Sequence, residues 1–455
     1  MSTDEPRYAA IGQAMARSGD WVTPYLWGEP WFEKPPLLYW MSAAFFAMGF
    51  KPEEAARLPV ALLSLAFLAL AAWLVAREFG GEAAAVSIGL LATSAGWVAY
   101  SNFGLTDLPM AVFFSVALLL ALPLLRKEPD ARRVGWRFAG LGACLGMAML
   151  AKGLVPLALA LPMAWFLRRW WRAWGWAAVG LLLAGPWYGA IYARQGMPFV
   201  REFFVKHHFE RLYSNSLQHV QPWYYYAPVL LAALFPWTPL LAIFARRRES
   251  WDGRRSLLLG TVVFGFVFFS VSLNKLPGYL LPLLPALFVL LGAEFEELPF
   301  AELGRKWLAP PAILIALIPL IARGLPNALA AGKVSAFQVG HVGATELFYV
   351  AAPLAAVWFG RRSWLSALLV LCVVAGGILL KATAYPALDE RVSARGLWRE
   401  VQREKVSVCD AGINREWAYG LSFYRGSELP ACGSGVGYDR ELRAKGRERP
   451  SLEEK

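Results

Sequence analysis

RLPVALLSLAFLALAAWLVA, residues 57–76, carries no charge after Arg57 and runs the length of a membrane span. A spanning helix needs about 20 predominantly apolar residues. Similar runs recur near 83–100, 108–125, 138–151, 153–167, 175–193, 223–245, 256–273, 278–295, 307–323, 346–360 and 364–384. The 455-residue chain is 57% hydrophobic and 17% charged, with a mean hydropathy of +0.42. Soluble domains carry about 25% charged residues. The reading is a polytopic α-helical membrane protein of about 12 spans, and the 21 tryptophans suit membrane-interface belts.

The net charge of +12 does not indicate nucleic acid, because the basic residues lie in short loops and the polar tail without a basic domain. Alternate loops differ in Lys and Arg, eighteen against nine, and the richer set is assigned to the cytoplasm. The segment 36–50 is short and begins at Pro35-Pro36. Read as a helix lying in the interface, it leaves the N-terminal patch on the same outer face as the loops containing Asp107, Arg211 and Lys275. Three regions follow: an outer-face first loop at 1–56, a helix bundle at 57–384, and a small α/β domain at 385–455. Cys144 and Cys372 fall in apolar runs, and Cys409 and Cys432 in the tail, where a disulfide forms if that face is oxidising.

The chemistry precedes the first long run. Asp4-Glu5-Pro6-Arg7-Tyr8 opens the chain, and WFEKPPLLYW follows at 31–40. Ionisable residues are costly at a membrane and are candidates for function. With Asp107, Arg211 and Lys275, these segments place carboxylates beside cations suited to a lipid phosphate. Each also has a plainer reading. Asp4 and Glu5 can be a solvated terminus, Asp107 a helix cap before Pro109, and Lys34 a side chain reaching for headgroups. Tyr279 can be an aromatic-belt residue, and 194–222 an interfacial amphipathic helix. One of the adjacent His207 and His208 can join Glu33 or Asp107 at a divalent metal.

Taken together, the motifs resemble a family. DEPRYA and SGDWVTPYLWGEPWFEKPPLLYW (18–40) look like the first external loop of polyprenyl-phosphate-dependent glycosyltransferases, closest to lipid A aminoarabinose transferases and more distantly to protein O-mannosyltransferases. TDLPM (106–110), AKGLVPLAL (151–159), GPWY (185–188), HFERL (208–212), QPWYYY (221–226) and NKLPGYLLPLLP (274–285) follow in the same order. The resemblance implies a C-type glycosyltransferase (GT-C) helix bundle in the bacterial inner membrane, with its site on the periplasmic face. It implies a sugar carried on undecaprenyl or a similar phosphate, transferred with inversion to a lipid A-like glycolipid or a protein. Asp4 and Asp107 match the acidic catalytic positions, and Lys34 and Arg211, joined by Arg7, the residues that hold the carrier phosphate. Tyr8, Glu33, Lys275 and Tyr279 are expected to line the cavity, and Glu33 with His208 to match a metal site.

Two departures stand out. The family places a spanning helix before its acidic motif, whereas here Met1-Ser2-Thr3 alone precede Asp4, which suggests a misassigned start or a truncation. Ala111 lies one helical turn beyond Asp107, where relatives often carry a second acid. A transporter or flippase is the alternative, with Lys152 inside the apolar stretch 138–167 as its best support; it predicts mid-membrane charges and repeat symmetry. A structural membrane protein would explain the apolar runs but not the acid–base patch.

Overall fold

A computed structural model describes residues 4–210, 220–245, 252–296, 305–331, 334–341, 343–359, 362–434, 437–444 and 449–454. Helix α1 (Glu5–Ser18) begins at once, with Pro6 in its first turn and Glu5 at its positive end. A short hairpin, β1 (Tyr25–Leu26) and β2 (Glu29–Pro30), leads to α2 (Leu37–Ala47). At 11 residues α2 is about half the length a span requires, in keeping with an interfacial helix.

Helix α3 (Pro52–Phe79) is the first long apolar helix. Helices α4 (Gly81–Thr93) and α5 (Ala95–Ser101) meet at a 64° bend, where Ser94 is extended and the Ala95 amide bonds to the Phe235 carbonyl. Helix α6 (Asp107–Ala121) continues as a tighter turn to Leu125, and α7 (Val134–Lys152) packs along it. Among the described residues six helices are long and apolar enough to cross a membrane, and nine if each bent pair is one span.

All twelve apolar runs read from the sequence are helical, but not all are straight spans. Runs 83–100, 223–245 and 307–323 are bent pairs; 278–295 and 346–360 are shorter helices. Run 153–167 divides into Val155–Leu159 and Leu161–Phe166. The expected boundary at 384 also shifts, because the last long helix, Arg362–Val392, continues past Pro386. Buried side chains of α3, α4, α5, α6, α7 and Leu283–Glu296 form one continuous core that includes Phe67, Trp97, Phe114, Phe138 and Phe288.

The tail folds as α/β, as its mixed composition implies. Strand β3 (Val408–Asp410) pairs parallel with β4 (Arg440–Arg443), which pairs antiparallel with β5 (Ser451–Glu454). Helices Ala394–Glu404 and Arg415–Arg425 cover this sheet through Leu397, Val401, Trp417 and Leu421. Cys409 and Cys432 form a disulfide across the segment that contains the second helix.

Candidate active site

Four parts of the chain converge on one cavity of about 210 Å³, and a fifth closes its side. The first loop supplies Asp4, Tyr8, Glu33 and Lys34. The α5–α6 turn supplies Tyr100, Leu105, Thr106 and Asp107, and the end of α7 supplies Lys152. Leu276 to Tyr279 form another wall, and Arg415 comes from the tail domain. Six residues expected from the sequence therefore share one space: Asp4, Tyr8, Glu33, Lys34, Asp107 and Tyr279.

Charge is arranged in linked pairs. Arg7 bonds to Asp4 one helical turn away and reaches Glu33 at 3.5 Å, while Lys34 lies 3.1 Å from Glu33. The Arg7 guanidinium sits 5.3 Å from the Trp31 ring centre and 5.1 Å from that of Tyr419, a setting that keeps it poorly hydrated and oriented. Burial works against the Glu33 carboxylate, but Lys34 and Arg7, with His207, hold its pKa down at about 2. Burial likewise works against the Arg7 charge, and Glu33 and Asp4 outweigh it, raising its pKa. Burial, with Glu33 and Asp4, pushes the Tyr8 phenol well above its usual range. It therefore stays a neutral hydroxyl, packed 5.8 Å from Tyr39.

On the opposite wall Lys152 Nζ donates to Asp107 Oδ1 at 2.6 Å and lies 4.5 Å from the Tyr279 ring centre. Thr106 occupies the N-cap position of α6, without a side-chain capping bond, and Asp107 is the first helical residue, so an N-cap role does not account for it. Gly278 makes this wall possible: a Cβ there would overlap Asp107 Oδ1 and lie 2.7 Å from Tyr100 Oη.

Two walls are fastened behind the cavity by Glu5. Its carboxylate is fully buried and accepts Arg57 Nε at 2.7 Å, Arg57 Nη2 at 2.9 Å and the Gly104 amide at 3.0 Å. The Asp4 helix is thereby tied to α3 and to the turn that precedes Asp107.

Three expectations need correction or restriction. Lys275 does not line the cavity; its ammonium is buried against the carbonyls of Gln221 and Ser272, where it joins the loop before Trp223 to the end of Gly253–Val271. Lys152 is not a mid-membrane charge: α7 stops there, before Gly153, and the side chain serves the cavity, which removes the best support for a transporter. Arg211 and the His208 side chain lie outside the described residues. His207 interacts electrostatically with Glu33, bonds to Glu202 at 3.2 Å and keeps Nδ1 buried without a partner among the described residues. The expected metal pair of Glu33 and His208 therefore falls partly outside the described residues. Glu33 is engaged by two cations, and the one set of three close ligand atoms among the described residues, at Cys409, Cys432 and Glu441, contains the disulfide. Lys152, Tyr100 and Arg415 were missed. A lysine before a helix-ending glycine was the available signal for the first, and no local pattern marks the other two.

The dolichyl-phosphate-mannose-protein mannosyltransferase family model matches residues 1–250, which contain both acidic walls. The chain belongs to this family. It is 35% identical over 305 residues to the undecaprenyl phosphate-alpha-4-amino-4-deoxy-L-arabinose arabinosyl transferase of Pseudomonas aeruginosa, covering 64% of this chain and 54% of that protein. The enzyme of that name from Edwardsiella ictaluri is 29% identical over 471 residues, covering 92% and 83%. The fold matches ArnT from Cupriavidus metallidurans bound to undecaprenyl phosphate, with a TM-score of 0.75 at 25% identity over 95% of this chain and 82% of that one. The chain spans about half the length of several curated relatives it matches. This family membership, with the apolar helices and the shared fold, makes the protein a GT-C membrane protein.

Proposed function

We propose that this protein is a glycosyltransferase that moves a sugar from a polyprenyl phosphate carrier to an acceptor on the outer face of the bacterial inner membrane. The observation that carries the reading is the cavity itself, where Asp4 and Asp107 stand on walls otherwise furnished with Lys34 and Lys152, with Arg7 directly behind Asp4. Relatives named as undecaprenyl phosphate-aminoarabinose transferases support the donor class. The Cys409–Cys432 bridge supports an oxidising, periplasmic setting for the tail that borders the cavity.

In this reaction the bond between the anomeric carbon and the carrier phosphate oxygen breaks. The acceptor oxygen bonds to the opposite face of that carbon, inverting it. Lys34 and Arg7, with Arg211, hold the departing phosphate and stabilise its added charge. Asp4 stabilises positive charge developing on the sugar ring. With a hydroxyl acceptor it also receives the proton; an ionised phosphate acceptor has none to give. Lys152 fixes the Asp107 carboxylate. Both a lipid A-like glycolipid and a protein fit this chemistry as acceptor classes.

The test is transfer of labelled aminoarabinose from undecaprenyl phosphate by the purified protein in lipid nanodiscs. Labelled product with wild type, and none with Asp4→Asn, is expected. No product with any glycolipid or protein acceptor would remove the assignment.

A further inference from the structure

The tail domain has a cationic side chain in the cavity that the charge pairing of the walls does not use. Within the lining, Glu33 pairs with Lys34 and Asp107 with Lys152, while Asp4 is met by Arg7 just behind it. Arg415 also lines the cavity, yet it makes no ion pair or side-chain hydrogen bond with the described residues.

Its position is not that of a loosely hanging arginine. Arg415 opens an 11-residue helix capped by Asn414, whose Oδ1 accepts the Glu416 amide at 3.0 Å. One turn on, Tyr419 packs on Trp27 with ring centres 5.6 Å apart and covers the Arg7 guanidinium. Farther along, Tyr424 Oη donates to Glu53 Oε1 at 3.0 Å. The helix is thus fastened to the first loop and to α3, and its first side chain, solvent-exposed, is among those that line the cavity.

Resting on the glycosyltransferase reading, we infer that Arg415 is a specificity residue that binds an anionic, phosphate-bearing acceptor entering the cavity from the tail-domain side. A planar guanidinium suits bidentate phosphate recognition. A carrier phosphate is tethered by its lipid tail near the hydrocarbon edge, and Lys34 lies in the segment that leads into the short apolar helix α2. Arg415 belongs to a domain without a spanning helix, so it meets what enters from the aqueous side. A phosphate there finds one cation that need not be taken from a carboxylate.

The experiment uses the full chain in nanodiscs and follows tryptophan fluorescence. One titrant is a glucosamine disaccharide bisphosphate without acyl chains, another the same disaccharide without phosphates, and a third undecaprenyl phosphate. Wild type is expected to prefer the bisphosphate. Arg415→Ala should weaken that binding by about tenfold, a loss typical of one charge-assisted contact, and Arg415→Glu by more. Arg415→Lys should restore part of it. Arg403→Ala, which removes an exposed charge outside the cavity, should bind all three ligands like wild type. Undecaprenyl phosphate binding should be unchanged in every variant, which also reports that they fold.

Unchanged bisphosphate affinity in Arg415→Glu would overturn the inference. So would equal wild-type affinity for the two disaccharides, no binding of either, or an equal loss of undecaprenyl phosphate, which would give Arg415 to the carrier. The expected binding pattern without sugar transfer would count against the glycosyltransferase reading alone.

Discussion

Glu5 and Arg57 form a two-pronged ion pair, at 2.7 and 2.9 Å, between the helix that starts beside Asp4 and the first long apolar helix. The same carboxylate accepts the Gly104 amide, three residues before Asp107. This one side chain therefore sets the spacing between the two acidic walls. Glu5 is fully buried but Arg57 is 38% exposed, so water takes over part of the arginine's charge when the pair is broken. Glu5→Gln should cost about 1–2 kcal/mol of stability and lower transfer with little change in donor affinity. Thermal unfolding and donor titration check this; a wild-type melting point would deny Glu5 that role.

Asp107 can be disturbed from two directions. Gly278→Ala adds a methyl group where the Asp107 carboxylate and the Tyr100 hydroxyl already lie, so one or both must move. Lys152→Met removes the 2.6 Å partner while keeping much of the side-chain volume. Each change should lower kcat by about ten- to a hundredfold, equivalent to roughly 1.4–3 kcal/mol, with a smaller effect on donor KM. Normal kcat in both variants would show that Asp107 placement does not govern turnover.

The sequence disclosed the first loop because its charges crowd into two short motifs before any apolar run, and six of those and later positions do meet in the cavity. It also disclosed where helices run, since apolar length survives any bend. Bends themselves were hidden: the break at Ser94 depends on an amide reaching Phe235, a contact far away in the chain. Lys275 was misplaced for a related reason. Its loop borders the site, but whether a side chain turns inward or folds onto carbonyls depends on backbone geometry, not on residue type. Arg415 was invisible because the tail helix reaches the cavity only through tertiary packing.

Glu33 supplies a pH signature. Its pKa falls from an unperturbed 4.5 to about 2 because Lys34, Arg7 and His207 outweigh burial. Its stabilising contribution is therefore complete above pH 4.5 and is lost as pH falls through about 2. The stability difference between wild type and Glu33→Gln should be flat from pH 8 to 5, on the order of 3 kcal/mol, and then close between pH 4.5 and 2. A difference that instead widens between pH 7 and 5 would assign part of the effect to His207, whose charged form Glu33 favours. Burial and Lys34, against Glu33 and Glu202, lower the pKa of that imidazole, so its contribution declines as pH falls below 6.5.

Metal dependence follows from the same carboxylate. Since Lys34 and Arg7 already neutralise Glu33, transfer should survive treatment with EDTA. Activity lost to the chelator and restored by zinc or another divalent cation would place a metal beside Glu33, with His207 or His208 as its next ligand.

Asp4 provides the most direct test of the chemistry. Asn has nearly the same shape, so Asp4→Asn should leave the fold and donor binding intact while withdrawing the negative charge from the cavity. Arg7 would then turn wholly to Glu33, its other carboxylate partner at 3.5 Å, so the electrostatic change is confined to one wall. Transfer should fall at least a hundredfold, the scale of losing a charge that acts on the transition state. A solvent deuterium isotope effect separates its two roles. With a phosphate acceptor no proton is taken from the nucleophile, and the Asp4 contribution requires only that the carboxylate be charged. With a hydroxyl acceptor the carboxylate also takes up a proton, and the reaction should show a solvent deuterium isotope effect on kcat. Full turnover by Asp4→Asn with normal donor affinity would move the acidic role to Asp107, the other carboxylate of the lining not shared between two cations.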